Sequence, residues 1–309
     1  MAGADWLVGT LSRAVAFGTP LLWATLGEIC AERAGVVNLG VEGMMILGAF
    51  FAFATAQLSG SAGLGLAAAA LAGAVAALLH AFLAVTLRAN QYVSGLALTM
   101  FGLGLAGLLG RGWEGVPLRH PLPEMQLPGL ASIPVLGPAI FSGQSVLSYA
   151  ALALAVGLWV LMFRSRWGIV WRSVGESPAA ADALGINVFA VRYLAVTAGG
   201  LFAGVAGGFL SVAYRPSWTE GMTAGMGWVA IAITIFAAWN PLRAVWGALL
   251  FGALWYLSFR LQAWVAPELL KLMPYAFTIL ALSVAMAGRG RHALGAPEGL
   301  GLAYARGER

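Results

Sequence analysis

Cysteine, histidine and charge are all scarce in this chain of 309 residues. The single cysteine, Cys30, excludes an internal disulfide. His80, His120 and His292 lie far apart without ligand spacing, so the sequence offers no pattern for a metal centre, and no cofactor is expected. No GxxxxGKS/T phosphate loop is present; if ATP is used, another chain must bind it. The opening residues, MAGADWL, lack the basic start of a signal peptide, so the first helix is expected to stay in the mature protein. Charged residues make up only 9% against 61% hydrophobic, a balance that a water-soluble domain could carry only by exposing large apolar patches. The net charge of +5 sits in arginines beside hydrophobic segments, where it orients a membrane protein rather than binding nucleic acid.

What is present is a series of apolar segments about 20 residues long, rich in Leu, Ala, Val, Gly and Phe, the length of a membrane-crossing helix rather than of a barrel strand. The expected fold class is all-α, a polytopic membrane helix bundle forming one domain over 1–309. Helices are expected at 6–27, 36–57, 63–87, 91–110, 145–163, 191–213, 223–239, 242–258 and 273–288, about nine crossings. The 42 glycines suit close helix crossings. With Arg164, Arg166, Arg172 and Arg192 in the cytoplasm, alternation places Arg33, Arg88, Arg243 and the basic C-terminal tail there too, as the positive-inside rule requires. Residues 111–144, with six prolines and few charges, are then an external, extended and stiff loop: either a lid on its own helices or a partner's landing place.

Three stretches break the apolar pattern. In 164–190, a polar, Arg-rich island, Ser177 is a good N-cap, Pro178 suits the first helical position and Gly185 is the residue expected just past the end. A helix of about two turns is marginal alone, so either the chain's own body or a docked partner must hold it. In 27–48, Glu28, Glu32 and Arg33 suggest a small ion-pair cluster that staples the junction, and Asn38 and Glu42, four residues apart, share a face of the second helix. Polar groups at membrane depth need a partner or a watery path, so Asn38 and Glu42, with Gly40 and Gly43, are candidates for a translocation route or gate, or for a tie to a neighbouring helix. In 223–241, glycines and Trp228 read as close packing with an interfacial anchor; Trp113 and Trp218 suit either a membrane belt or contacts to a ring-shaped solute.

The runs GEICAERAGVVNLGVEGMMILGAF, VGESPAAADALGINVFAVRYLAV and GMGWVAIAITIFAAWNPLRAVWGALLFG together resemble permease subunits of bacterial ABC importers of the ribose and branched-chain amino acid type. Within them they are most similar to the branch associated with nucleoside uptake. The resemblance covers most of the chain in the same order. It implies a type II-like importer permease fold in the bacterial inner membrane, with the C-terminus cytoplasmic. It also implies partners: a separate ABC ATPase, a second permease chain and a periplasmic or lipoprotein solute-binding protein. The family pattern G-x-N-P-x-A-A-x-x-x-G-I, implied to be the segment seated in the ATPase, falls on Gly175, Glu176, Ser177, Pro178, Ala181, Asp182 and Gly185. Ser177 replaces the commoner Asn and keeps the cap.

The resemblance implies a non-catalytic translocation subunit for nucleosides or a related sugar-like solute. The competing readings are a stand-alone secondary transporter with Glu42 or Glu28 as its proton site, for which no convincing inverted repeat is found, and a membrane enzyme, for which no clustered active-site constellation is found.

Overall fold

The computed structural model describes residues 2–306 except 136, 263, 267, 268, 271, 274, 275, 277, 278, 281, 282 and 284–294. Up to residue 261 the described residues form α1 (Ala2–Arg33), α2 (Val41–Ser59), α3 (Ala62–Ala81), α4 (Gln91–Gly110), α5 (Val146–Arg164), α6 (Arg166–Glu176), α7 (Pro178–Ala183), α8 (Val188–Phe209), α9 (Met226–Phe236) and α10 (Pro241–Leu261). Their starts are written in short polar side chains. Ser61, Asn90, Ser145, Ser165, Ser177, Asn187 and Asn240 each accept a hydrogen bond from a first-turn amide, and α2 ends on Gly60 in the left-handed region. α3 and α8 close with five-residue π turns, Phe82–Thr86 and Leu210–Tyr214.

Among the described residues, six helices are long and apolar enough to cross a membrane, counting those terminal turns: Trp6–Arg33, Val41–Ser59, Ala62–Thr86, Gln91–Trp113, Val146–Arg164 and Val188–Tyr214. The chain is a multi-pass membrane protein. The expected count of nine is not reproduced among the described residues. The seventh expected segment, 223–239, holds only the 11-residue α9, because Ala224 and Gly225 adopt positive φ at its start. The eighth corresponds to α10, and the ninth, 273–288, lies mostly outside the described residues. The first helix does not stop at 27; it runs through Glu28, Glu32 and Arg33, which are buried.

α2, α3 and α8 pack on one another at the centre, with α1 against α8 and α10. These crossings are closed by glycine. A methyl placed on Gly207 would lie 1.8 Å from the Met45 carbonyl oxygen, one on Gly204 2.1 Å from that of Ala69, and one on Gly73 2.0 Å from that of Gly200. Backbone therefore meets backbone across the core, which is how helices gain contact when lipid supplies no hydrophobic drive.

Candidate functional site

In the polar island, Ser177 Oγ accepts the Ala180 amide, Pro178 opens α7, and Gly185, at φ +82°, ends it with its amide on Asp182 O and the Ile186 amide on Ala181 O. The structure decides what holds this helix. Ala181 is buried with Val174 and Val188, and Ile186, Val191 and Tyr304 pack against them. Ala181, expected among the residues that meet the ATPase, is packed against the chain's own body. The outer face is Ala179, Ala180, Ala183 and Leu184, the last 82% exposed.

The sequence reading missed the strap that completes this site, residues 295–306. The Gly299 amide donates to Gly175 O at 2.9 Å, the Glu298 amide to Glu176 Oε2 at 3.2 Å, and the Gly301 amide to Gly35 O at 3.1 Å. Arg192 donates to Leu302 O at 3.0 Å, and Arg306 grips Asp182 with two nitrogens, the shorter contact being 2.7 Å. Gly175 is compulsory here: a Cβ would sit 2.2 Å from Arg33 O. The Pro297, Glu298, Gly299 and Gly301 spacing marks turns, but nothing local says what they turn over.

Hydrogen bonds from Arg306 hold the Asp182 carboxyl below the usual aspartate range. A depressed carboxylate contributes above its unfolded pKa, so this contact persists at neutral pH and is lost in acid, as pH falls through the lowered value. Removing residues 295–309 breaks several hydrogen bonds worth about 1 kcal/mol each and is expected to speed amide exchange over 175–186 at least tenfold, as measured by mass spectrometry. Arg306→Ala alone is expected to do much less, because that side chain is exposed. Unchanged exchange in the truncated protein would mean that the strap does not hold α7.

At the α1–α2 junction the expected ion-pair cluster does not form. Arg33 turns from both carboxylates: Nε donates to Trp239 O at 3.1 Å, one terminal nitrogen to Ala238 O and the other to Gly295 O, both at 3.3 Å. Ala238 and Trp239 adopt positive φ in the turn between α9 and α10, whose carbonyls are thereby left open to a cation. Glu32 accepts the Trp239 indole N–H, and Glu28 Oε1 accepts the Asn38 amide at 3.2 Å. The residues staple the junction as expected, but through backbone and indole groups.

Asn38 and Glu42 do not share a helix face, because Asn38 precedes α2 in the unwound stretch 34–40, where its Oδ1 accepts the Gly40 amide. Glu42 is buried and fully engaged. One oxygen accepts Thr223 Oγ1 at 2.6 Å and the Gly225 amide at 2.9 Å, the other the Gly227 amide at 2.7 Å. A carboxylate at a helix start and a guanidinium at its end match the two poles of the helix, so Glu42 and Arg33 clamp α9 from both sides. Of the two roles open to Glu42, this geometry realises the tie to a neighbouring helix. Gly40 and Gly43 lie against α4, where their methyls would meet the Leu98 side chain at 2.9 Å and Leu98 O at 2.6 Å.

At the other end, loop 111–144 behaves as a lid. Leu118 and Leu122 amides donate to Pro216 O and Val212 O, and Glu124–Met125 pairs antiparallel with Gln144–Ser145. Trp218 is fully buried under this lid, edge-on to Phe50, which takes it out of any membrane belt, and the half-buried Trp113 packs on Phe53.

The profile of the branched-chain amino acid transport system permease component matches residues 10–282. A Haloferax volcanii chain carrying the name of a glucose ABC transporter permease protein, TsgC13, is 38% identical, covering 98% of this chain and 99% of its own. The guanosine ABC transporter permease protein NupQ of Bacillus subtilis is 38% identical over 95% of both chains. The nucleoside ABC transporter permease protein NupC of Lactococcus lactis is 35% identical over 90% of this chain and 93% of its own. No solved structure matches. With the profile covering most of its length and relatives this similar from end to end, the chain belongs to the branched-chain amino acid transport system permease family.

Proposed function

We propose that this protein is the non-catalytic translocation subunit of an ATP-driven importer for a nucleoside or a related sugar-like solute. It works with a second permease chain, a separate ATPase and an external solute-binding protein, and its C-terminus and the 164–190 loop face the cytoplasm. The observation that carries this reading is the near full-length likeness to permeases named for guanosine, nucleosides and glucose. α7 supports the coupling part of it: a short helix anchored beneath by its own chain, with Leu184 and a flat alanine face turned outward, is shaped to be pushed. The alternative, an ion-coupled transporter working alone, would use Glu42 or Glu28 as its proton site. Glu42 gives its acceptor positions to α9, which weighs against it.

The test is uptake of labelled guanosine and glucose into vesicles that carry this chain with a second permease chain, an ATPase and a solute-binding protein of the same importer type. ATP-dependent uptake is expected; uptake driven by a proton gradient without any ATPase would overturn the reading. Leu184→Asp forfeits an apolar contact worth about 1.5–3 kcal/mol and is expected to weaken ATPase association roughly 10- to 100-fold while leaving the fold intact. Gly185→Val meets no steric neighbour, so its expected effect is the left-handed backbone cost alone, about 1–2 kcal/mol, read as a misplaced α7 and slowed transport. Normal uptake by Leu184→Asp would remove α7 from the coupling path.

A further inference from the structure

A cavity of about 330 Å³ opens at the end of the bundle that carries the 111–144 lid. That is within the range of small-molecule sites, roughly 300–1,000 Å³, whereas the neighbouring hollow of about 130 Å³ falls below it. One wall is polar: Arg13 from α1, Glu124 and Gln144 from the two short strands, and Ser145. The other is apolar and includes Phe209 and Tyr214, whose ring is fixed by Phe209 and, at 4.9 Å between centroids, by Phe17.

The polar wall is built rather than incidental. Gln144 is buried, and its amide nitrogen donates to Ser12 O at 3.0 Å and Ser12 Oγ at 3.1 Å, which pins the lid to α1. Strand pairing sets Glu124 opposite Ser145. Gly143, at φ +69°, turns the chain beneath the Glu124 carboxylate, where a methyl would lie 3.5 Å from Oε2.

The wall brings one cation and one anion, a neutral sum that offers both donors and acceptors. Hydroxyl groups donate and accept at once, so a neutral ring bearing several of them matches this wall, while its carbon faces match the aromatic side. We propose that this cavity is a solute station for the sugar part of the cargo, at the mouth of the permease, with Arg13, Glu124 and Ser145 meeting hydroxyls and Tyr214 forming the apolar floor. The proposal rests on the transport reading above, and the experiment separates the two. Free hexose and the ribose of a nucleoside share this chemistry, so both are assayed.

The complete transporter in sealed proteoliposomes is given labelled guanosine, glucose or leucine, with guanine as a sugar-free competitor. Tyr214→Ala and Glu124→Ala are expected to raise the uptake KM at least tenfold for the sugar-bearing solute, with ATPase assembly unchanged. Tyr214→Phe, which keeps the ring, should restore most of it. Ala213→Cys gives a second readout on the same wall, since Cys30 is fully buried. Its alkylation should be slowed by the transported sugar-bearing solute and not by guanine. If neither guanosine nor glucose is imported, the transport reading itself falls. If one is imported but KM stays unchanged in both alanine variants, or alkylation is unprotected, only the station is overturned. Protection by leucine, whose paired charges could bridge Arg13 and Glu124, overturns the sugar assignment as well.

Discussion

Glu42→Leu is expected to prevent assembly of the bundle, not merely to stop transport. The substitution strands Thr223 Oγ1 and the amides of Gly225 and Gly227 at the buried start of α9, where the carboxylate now satisfies all three. Each buried donor left without a partner costs about 1–3 kcal/mol. Three of them approach the whole stability of a typical domain, about 5–15 kcal/mol. The expected result is aggregation or loss of the monodisperse peak on size exclusion in mild detergent, and failure to co-purify with the ATPase. Glu42→Gln retains one acceptor oxygen but turns an amide toward donors, so it should fold with a lowered thermal midpoint. A folded, ATPase-bound Leu variant that merely fails to import would return Glu42 to the translocation route.

Gly207→Ala is expected to be as damaging, although it adds a single methyl group. That methyl would sit 1.8 Å from the Met45 carbonyl oxygen, and neither group belongs to a flexible side chain, so α2 and α8 must separate. Parting two helices that meet backbone to backbone at Gly207 and at Gly48 forfeits the packing that joins them. Gly104→Ala, on the exposed side of α4 with nothing within 4 Å, is the control and should leave the thermal midpoint unchanged or slightly raised. Equal stability of the two variants would show that the core crossing is looser than its geometry.

The two cases mark what could be read without coordinates. The start of α7 was legible because Ser177 acts on an amide three residues away, within reach of a local pattern. α7 was correctly placed down to its capping residue and its terminal glycine. Glycine abundance foretold tight crossings, but not which glycines meet, since the partners of Gly73 and Gly207 lie far along the chain. The polar residues of 27–42 stood out by composition, but their partners could not be read from it. Arg33 lies beside Glu32 in sequence, so an ion pair was the economical guess, whereas its acceptors are carbonyls more than 200 residues away. The strap was invisible for the same reason. The α9 region looked long enough to span because hydropathy does not register the positive-φ turns at 221–225.

The clamp on α9 also bears on how the protein is made. Glu32, Arg33 and Glu42 are among the first residues synthesised, yet their partners at 223–239 follow 181 to 207 positions later. At about 5–20 residues per second, those groups wait roughly 10–40 s for company. Lipid offers them no hydrogen bonds in the interval, so the hairpin of the first two helices must be sheltered near water or an insertion factor until the seventh apolar segment emerges. Biogenesis of this permease is thus committed late, and a chain cut short before residue 223 leaves Glu32, Arg33 and Glu42 in the membrane without the partners that hold them in the finished protein.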